Sequence, residues 1–237
     1  MPEAHLKNIA LLIDADNASH AGIDPVLTVL AELGQVNIRR AYGNWAKPAL
    51  SNWNTITHRF GLQPMQQFDL TKGKNATDIA MAIDAIDLLN AGKVDGFGIM
   101  SSDSDFTPLV TRLRQDGMIV YGFGQDKAPE AFKSACTRYI DVDQLIRTNS
   151  ADDKTGSETT PLDKDLINLL GEAWKAASRD DDGFARLQEV GQIAGNRSSF
   201  DVRNHGFKRL SDLMREARDN FKMERREDKQ LYVKRLR

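Results

Sequence analysis

The sequence predicts an α/β fold, with a mostly parallel β-sheet covered by helices on both faces, joined to a smaller helical domain. Apolar runs typical of buried strands alternate with apolar residues at helical spacing through the first 142 residues. A stretch with almost no apolar residues follows, and beyond it the pattern changes to helices and a hairpin. At 237 residues the chain can hold two domains, which we place at 1–147 and 162–237, with a linker at 148–161.

The first domain is predicted to alternate strand and helix throughout. Residues 8–13 form a nearly continuous apolar run, as expected of a central parallel strand that is buried on both faces. Gly34 and Gly61 are typical helix stops. The predicted strands are 8–13, 36–42, 62–68, 96–100, 118–123 and 138–142, and the predicted helices are 25–33, 48–60, 79–89, 106–115 and 130–136.

The second domain is predicted to contain three helices and a terminal β-hairpin. The helices are expected at 162–177, 184–194 and 207–217, from the spacing of their apolar residues. Alternating residues on either side of 227–229 predict the hairpin. Three helices followed by a hairpin suggest a small winged-helix module.

Charge is distributed unevenly along the chain. The whole sequence has a net charge of −2, which identifies no partner. Residues 1–150 hold 14 basic and 17 acidic side chains, whereas residues 197–237 hold 13 basic and 7 acidic ones, giving net charges of −3 and +6. This asymmetry favours a nucleic-acid-facing C-terminal domain.

The sequence also predicts a cytoplasmic protein. A lone cysteine, Cys136, cannot form an internal disulfide and fits a reducing compartment. The N-terminus lacks the apolar core of a signal peptide, and no run approaches the roughly 18 apolar residues of a membrane helix. We therefore expect no membrane partner.

Four aspartates are predicted to meet at one edge of the sheet. Asp14, with Asp16 close behind, follows the first strand, Asp78 begins a helix, and Asp103 and Asp105 follow the strand at 96–100. Neighbouring parallel strands lie about 4.8 Å apart, so their ends can share a site. Such crowding of carboxylates calls for a hard divalent cation, Mg²⁺ or Mn²⁺, which suits hydrolysis of a phosphate ester.

Several of these side chains also have simpler explanations. Asp78 and Asp105 could only cap helices, because carboxylates accept hydrogen bonds from free amides. Asn17 could hold a substrate phosphate or cap the following helix, and Ser102 is taken as a substrate contact although a serine also suits a tight turn. Asp84 lies about 240° around the helix from Asp78, so it is expected at most at the rim of the site.

The first domain resembles the NYN domain of the PIN-like nuclease superfamily. Three motifs carry the resemblance: LLIDADN at 11–17, KNATDIAMAID at 74–84 and SSDSDFTPLV at 101–110. It covers about residues 8–143 and implies a three-layer α/β/α sandwich with a ribonuclease site using Mg²⁺ or Mn²⁺. Asp14, Asp78, Asp103 and Asp105 match the family's acidic positions and are the implied catalytic and metal-binding residues.

One rival class shares the first motif. A haloacid-dehalogenase-like phosphatase also has Asp-x-Asp after its first strand, but it requires Thr or Val two residues past the second aspartate. Here Asn17 and Ala18 follow Asp16.

The second domain resembles the LOTUS (OST-HTH) domain, over about residues 162–237. The motifs are GFARLQEVGQIA at 183–194 and FDVRNHGFKRLSDLM at 200–214, with His205 where the family usually has tyrosine. The family implies RNA binding or docking of a protein partner. The basic residues predicted to contact RNA are Lys208, Arg209, Arg225 and Arg226.

Two hypotheses follow from these patterns. In the first, the protein is a metal-dependent ribonuclease that holds RNA with its winged helix and cleaves it at the acidic edge. In the second, it is a non-catalytic RNA-binding adaptor whose acidic site is vestigial.

Overall fold

The structure, a computed structural model, describes residues 6–68, 75–151, 162–198, 200–226 and 228–236. The chain divides into two compact units, Met1–Ser150 and Ala151–Arg237. In these described ranges no helix has both the length and the apolar character needed to cross a membrane.

The N-terminal unit is built on a six-stranded sheet whose pairings are all parallel. The strand order is β3-β2-β1-β4-β5-β6, so the order along the sheet reverses between β1 and β4. In open α/β sheets this switch point is where ligands bind, beyond the carboxyl ends of the strands. The strands are β1 (Leu6–Asp14), β2 (Gly34–Gly43), β3 (Gln63–Gln66), β4 (Gly96–Met100), β5 (Ile119–Gly124) and β6 (Arg138–Asp141).

Six α-helices in the described part of this unit cover both faces of the sheet. They are α1 (Ile23–Leu33), α2 (Trp53–Phe60), α3 (Ala76–Asn90), α4 (Thr107–Gln115), α5 (Glu130–Ala135) and α6 (Val142–Ala151). Side chains of α1, α2 and α6 join one apolar core, and those of α3, α4 and α5 join another. Alternate residues of β1 enter the two cores, with Ile13 in the first and Leu12 in the second. The predicted three-layer α/β/α sandwich is therefore confirmed.

Two elements of this unit differ from the sequence prediction. The helix expected at 48–60 is a 3₁₀ turn at Pro48–Leu50 followed by α2. Helix α6 was not predicted, because its apolar residues are few: among residues 142–147, Val142 and Leu145 are buried and polar residues follow in the sequence. The carboxylate of Asp141 begins it by accepting the backbone N–H groups of Asp143 (2.9 Å) and Gln144 (3.3 Å). The predicted linker thus starts inside a helix, and residues 152–161 lie outside the described ones.

The C-terminal unit combines helices with a three-stranded antiparallel sheet of order β7-β9-β8. A single apolar core that includes Leu170, Val190, Leu213 and Val233 joins them. The elements are α7 (Lys164–Ala176), β7 (Ala185–Arg186), α8 (Leu187–Arg197), a 3₁₀ turn (Val202–His205), α9 (Leu210–Glu216), β8 (Phe221–Arg225) and β9 (Leu231–Arg235). The predicted hairpin is present. Strand β7 was not predicted, since two residues are too few to show a period.

Candidate active site

The site lies at the carboxyl ends of β1 and β4, the two central strands. In the parallel register Ile13 pairs with Met100, so the residues that follow, Asp14 and Ser101, emerge side by side. Both strands are fully buried at this end, which fixes the positions of their last residues. The switch point of the sheet therefore presents Asp14 beside the serine and aspartate loop after β4.

Asp14 is completely buried, and both oxygens of its carboxylate accept hydrogen bonds. One carboxylate oxygen accepts the backbone N–H of Asn17 (3.3 Å), and the other accepts the Asn17 side-chain amide (3.0 Å) and the Ser101 hydroxyl (2.9 Å). Burial raises the pKa of Asp14, these hydrogen bonds oppose the shift, and the nearby charge of Asp16 adds to it. Asn17, predicted to contact substrate or to cap a helix, is thus bound to Asp14.

Three further carboxylates form a tight group. Asp78, Asp103 and Asp105 each offer one oxygen, and these oxygens lie within 4.8 Å of one another. Burial raises the pKa of Asp78 to about 6, and the charges of Asp14, Asp103 and Asp105 contribute to that rise. We call Asp78, Asp103 and Asp105 the acidic cluster. Asp14 lies outside this group of three, although its charge acts on Asp78.

Capping and clustering occur together in these residues. Asp103 accepts the backbone N–H of Asp105 (2.9 Å), as an N-cap does, and Asp105 accepts the side-chain amide of Asn75 (2.6 Å). The Ser101 hydroxyl accepts the N–H of Asp103 (3.1 Å) while it donates to Asp14. Ser101 thereby ties Asp14 to the loop that carries Asp103 and Asp105.

Asp16 connects the end of β1 to the start of α3. It accepts the hydroxyl of Thr77 (2.9 Å), the neighbour of Asp78, and pairs with Lys47 (3.3 Å). The contacts of Asn75, Thr77 and Ser101 were not foreseen from the sequence. The sequence feature that could have identified these three residues is their short distance along the chain from the predicted aspartates.

Asp84 has a structural role in place of the expected position at the rim. Its two carboxylate oxygens accept hydrogen bonds from Arg40 and Tyr42 of β2. Asp84 is therefore paired inside the unit and is not one of the three clustered carboxylates, and the helical spacing from Asp78 had predicted only that it would not share the ion.

The side chain of Ser102 accepts a hydrogen bond from the protein's own backbone. Its hydroxyl accepts the N–H of Gln125 (2.7 Å) just after β5, and the Tyr139 hydroxyl donates to the Gln125 carbonyl (2.8 Å). Ser102 also lines a pocket of about 220 Å³ beside the site. Its predicted substrate contact stays a prediction.

The basic residues predicted to contact RNA fall into two groups. Lys208, Arg209 and Arg225 are exposed. Arg226 instead pairs with Asp180 and with Glu224 (2.8 Å), and its guanidinium lies over the ring of Tyr232, 4.3 Å from the centroid. The carboxylates of Asp180 and Glu224 neutralise the charge of Arg226. These contacts give Arg226 a structural role in this sheet.

Comparison with known proteins agrees with this architecture. The model of the NYN domain matches residues 8–145, which is more than half of the chain, so the chain belongs to the NYN family. The model of the OST-HTH/LOTUS domain matches residues 157–233. Both predicted resemblances are confirmed. Because the N-terminal domain matches the NYN family, the haloacid-dehalogenase-like phosphatase is no longer a candidate class. Together the two domains support an RNA-related nuclease.

A solved structure supports the fold alone. The chain is similar to a protein of unknown function from Vibrio parahaemolyticus, with 20% identity and a TM-score of 0.50. The similarity covers 61% of this chain and 98% of that one. The comparison with curated proteins gave no match.

Proposed function

We propose that the protein is a metal-dependent ribonuclease. The N-terminal unit hydrolyses RNA phosphodiester bonds at the acidic cluster, and the C-terminal unit binds RNA. The observation that carries the proposal is the approach of three carboxylate oxygens, from Asp78, Asp103 and Asp105, to within 4.8 Å of one another.

The donor set fits a hard divalent cation. Mg²⁺ and Mn²⁺ prefer carboxylate oxygens, and two ligands on opposite sides of Mg²⁺ are about 4.2 Å apart. Adjacent ligands lie about 3 Å apart, so the three oxygens, now within 4.8 Å of one another, would draw closer together around a bound ion. Burial contributes most to the raised pKa of Asp78, and repulsion by the neighbouring carboxylates, which a cation would relieve, adds to it.

We assign the ion to Asp78, Asp103 and Asp105, with Asp14 as the fourth carboxylate. Oδ2 of Asp14 accepts two hydrogen bonds, from Asn17 and Ser101, but Oδ1 accepts one, from the Asn17 backbone, and so keeps a lone pair for ligation. Asn17 and Ser101 hold Asp14 in one orientation, and Asn75 does the same for Asp105.

Bound Mg²⁺ or Mn²⁺ would stabilise negative charge on the phosphodiester and lower the pKa of a water molecule. The chain itself supplies the orientation of the ligands. Asp16 anchors the start of α3 through Thr77, which keeps Asp78 facing the loop after β4. Asp78 must lose its proton to serve as a ligand, so protons compete with the metal and binding should weaken as the pH falls below about 6.

RNA binding is assigned to exposed basic residues of the C-terminal unit. Lys208 and Arg209 precede α9, and Arg225 ends β8. Such side chains contact phosphates and give affinity that falls with salt and depends little on sequence. Docking of a protein partner on this domain and a cytoplasmic location both stay predictions.

Cleavage of RNA by the full chain tests the proposal. A panel of single-stranded and structured RNAs should be cut with Mn²⁺ and left intact in excess EDTA. Asp103→Asn should reduce the rate by at least about 100-fold, a typical effect of removing a group that stabilises charge in the transition state. Asp87→Asn, an exposed aspartate of α3, is the matched control and should cleave normally. Cleavage by Asp103→Asn at the wild-type rate would contradict the proposal.

The complete burial and internal hydrogen bonding of Asp14 favour one alternative, a non-catalytic RNA-binding adaptor. That alternative predicts RNA binding without cleavage at any metal concentration, unchanged by Asp14→Asn.

A further inference from the structure

A pocket of about 220 Å³ lies at the carboxyl edge of the sheet on the side of α1 and α6. Met100, Phe123 and Val142 form its apolar floor, and all three are buried. Met100 and Phe123 end neighbouring strands and, with Val142, belong to the core that contains α1 and α6. We call this space the side pocket. It is separate from the acidic cluster, which faces α3 and α4.

The side pocket and the acidic site share a wall. Asp16, Asn17 and Ser101 line the pocket, and each also bonds to the acidic side. Asn17 and Ser101 donate to Asp14, and Asp16 accepts from Thr77 next to Asp78. A molecule bound at the acidic cluster would therefore be adjacent to the pocket, separated from it by these side chains.

The lining has an apolar floor and a polar rim. The rim includes Asn17, Ser19, Gln125 and Asp143, with Asn17, Ser19 and Asp143 exposed. Amide and hydroxyl groups can donate or accept, whereas the carboxylate of Asp143 only accepts hydrogen bonds. Among the residues that the structure describes, no basic side chain lines the pocket, so its chemistry does not suit a phosphate.

We propose that the side pocket binds a nucleobase carrying an exocyclic amino group (adenine, cytosine or guanine) from the nucleotide next to the phosphate at the acidic cluster. The place of that phosphate rests on the proposed ribonuclease function. The pocket's volume corresponds to on the order of seven water molecules, the scale of one base without its sugar and phosphate. In this proposal the apolar floor contacts the ring and the carboxylate of Asp143 accepts a proton of the amino group, whereas uracil has no amino group and offers a single ring N–H.

Nucleoside binding to the full chain tests this in EDTA. Adenosine, cytidine and uridine carry no phosphate, so the acidic cluster contributes nothing to their binding. NMR titration at millimolar concentrations should give saturable shifts at Met100, Phe123 and Val142 with adenosine or cytidine, at least fivefold tighter than with uridine. Absence of saturable shifts at these residues, or binding of uridine as tight as that of the others, would overturn the proposal.

Substitutions at the rim test whether nucleosides bind in the side pocket or elsewhere on the surface. Ser19→Trp should weaken nucleoside binding at least tenfold, and Ser19 is exposed with no capping hydrogen bond from its side chain, so the fold tolerates the change. Lys93→Trp, exposed just before β4 at the opposite edge of the sheet, should bind like the wild type. Equal binding by Ser19→Trp and the wild type would overturn the proposal.

The two proposals fail separately. Asp103→Asn should leave nucleoside binding unchanged. A protein that binds adenosine in the pocket but cleaves no RNA would contradict the ribonuclease function and support the pocket. A protein that cleaves RNA but shifts none of the pocket residues would contradict the pocket alone.

Discussion

The acidic edge of the N-terminal unit and the sheet of the C-terminal unit handle charge in opposite ways. At the edge, carboxylates crowd together in a half-buried site, and burial together with their like charges raises the pKa of Asp78 to about 6. In the sheet, opposite charges pair: Arg226 lies between Asp180 and Glu224, and the pKa of Asp180 is lowered by the Phe184 backbone N–H and by Arg226. The edge is electrostatically incomplete without a cation, whereas the sheet is already neutralised. Unrelieved repulsion is therefore a stronger indicator of a site than the number of charges.

Addition of Mn²⁺ should stabilise the N-terminal unit most strongly. A cation at 100 times its dissociation constant would add about 2.7 kcal/mol, because it binds only the folded cluster. For a unit of this size that shifts the melting temperature by about 5–10 °C. Differential scanning calorimetry with and without Mn²⁺ measures the shift. Asp103→Asn should lose most of it and Asp87→Asn should keep it, so an equal shift in both variants would remove the cluster as the metal site.

Replacing Arg226 should loosen the C-terminal sheet. Arg226→Ala leaves Asp180 and Glu224 without their cation and uncovers Tyr232, so β8 and β9 should lose protection. Hydrogen exchange of β8 and β9 in the full chain reports the loss of protection. Arg225→Ala, its exposed neighbour, should change stability by less than about 0.5 kcal/mol. If the two variants lose equal protection, the contrast between paired and exposed arginines does not hold.

Asp78 should make the metal-free protein less stable at neutral pH. Its pKa is about 6 in the folded state, where it is partly buried beside other carboxylates, and 3.8 for an exposed aspartate, so the folded state binds more protons between those pH values. This contribution to stability is complete below about pH 4 and is lost as the pH rises through about 6. After allowance for solvent screening it amounts to about 1 kcal/mol.

Asp78→Asn removes that dependence. In EDTA the variant should melt a few degrees above the wild type at pH 7.5 and show a smaller difference at pH 4.5. Asp87→Asn should follow the wild type at both pH values. A wild-type pH profile in Asp78→Asn would mean that repulsion at the cluster is negligible.

Single exposed basic residues should have the smallest effects. Arg209→Ala or Arg225→Ala should each weaken RNA binding about threefold at moderate salt. Each should also reduce the slope of log affinity against log salt by about 0.7, the value for one phosphate contact with single-stranded RNA. Fluorescence anisotropy at several salt concentrations provides both numbers. An unchanged slope in both variants would place the RNA on another surface.

Much of the N-terminal fold and the position of its site could be predicted from the sequence. Asp14 ends one apolar run and Asp103 follows another after two serines, and the ends of parallel strands meet at one edge, so the local pattern was enough to predict that the two lie close together. The acidic cluster follows from the same argument, since Asp78 begins a helix after a polar loop.

What could not be predicted depends on contacts distant in sequence. The pairing of Arg226 with Asp180, 46 residues away, gives an apparent RNA contact a structural role. Asp84 pairs with Arg40 across the sheet, and the side pocket brings together residues from Asp16 to Asp143. Periodicity reports which face of an element is buried, but not which side chain from another element meets it.

The anomalous-scattering map of a crystal soaked in Mn²⁺ tests the central claim most directly. We expect one strong peak bonded to carboxylate oxygens of Asp78, Asp103 and Asp105, and no such peak in crystals of Asp103→Asn. A map with no peak at the acidic cluster, from crystals that diffract well and contain saturating Mn²⁺, would contradict the assignment of this site as a metal centre.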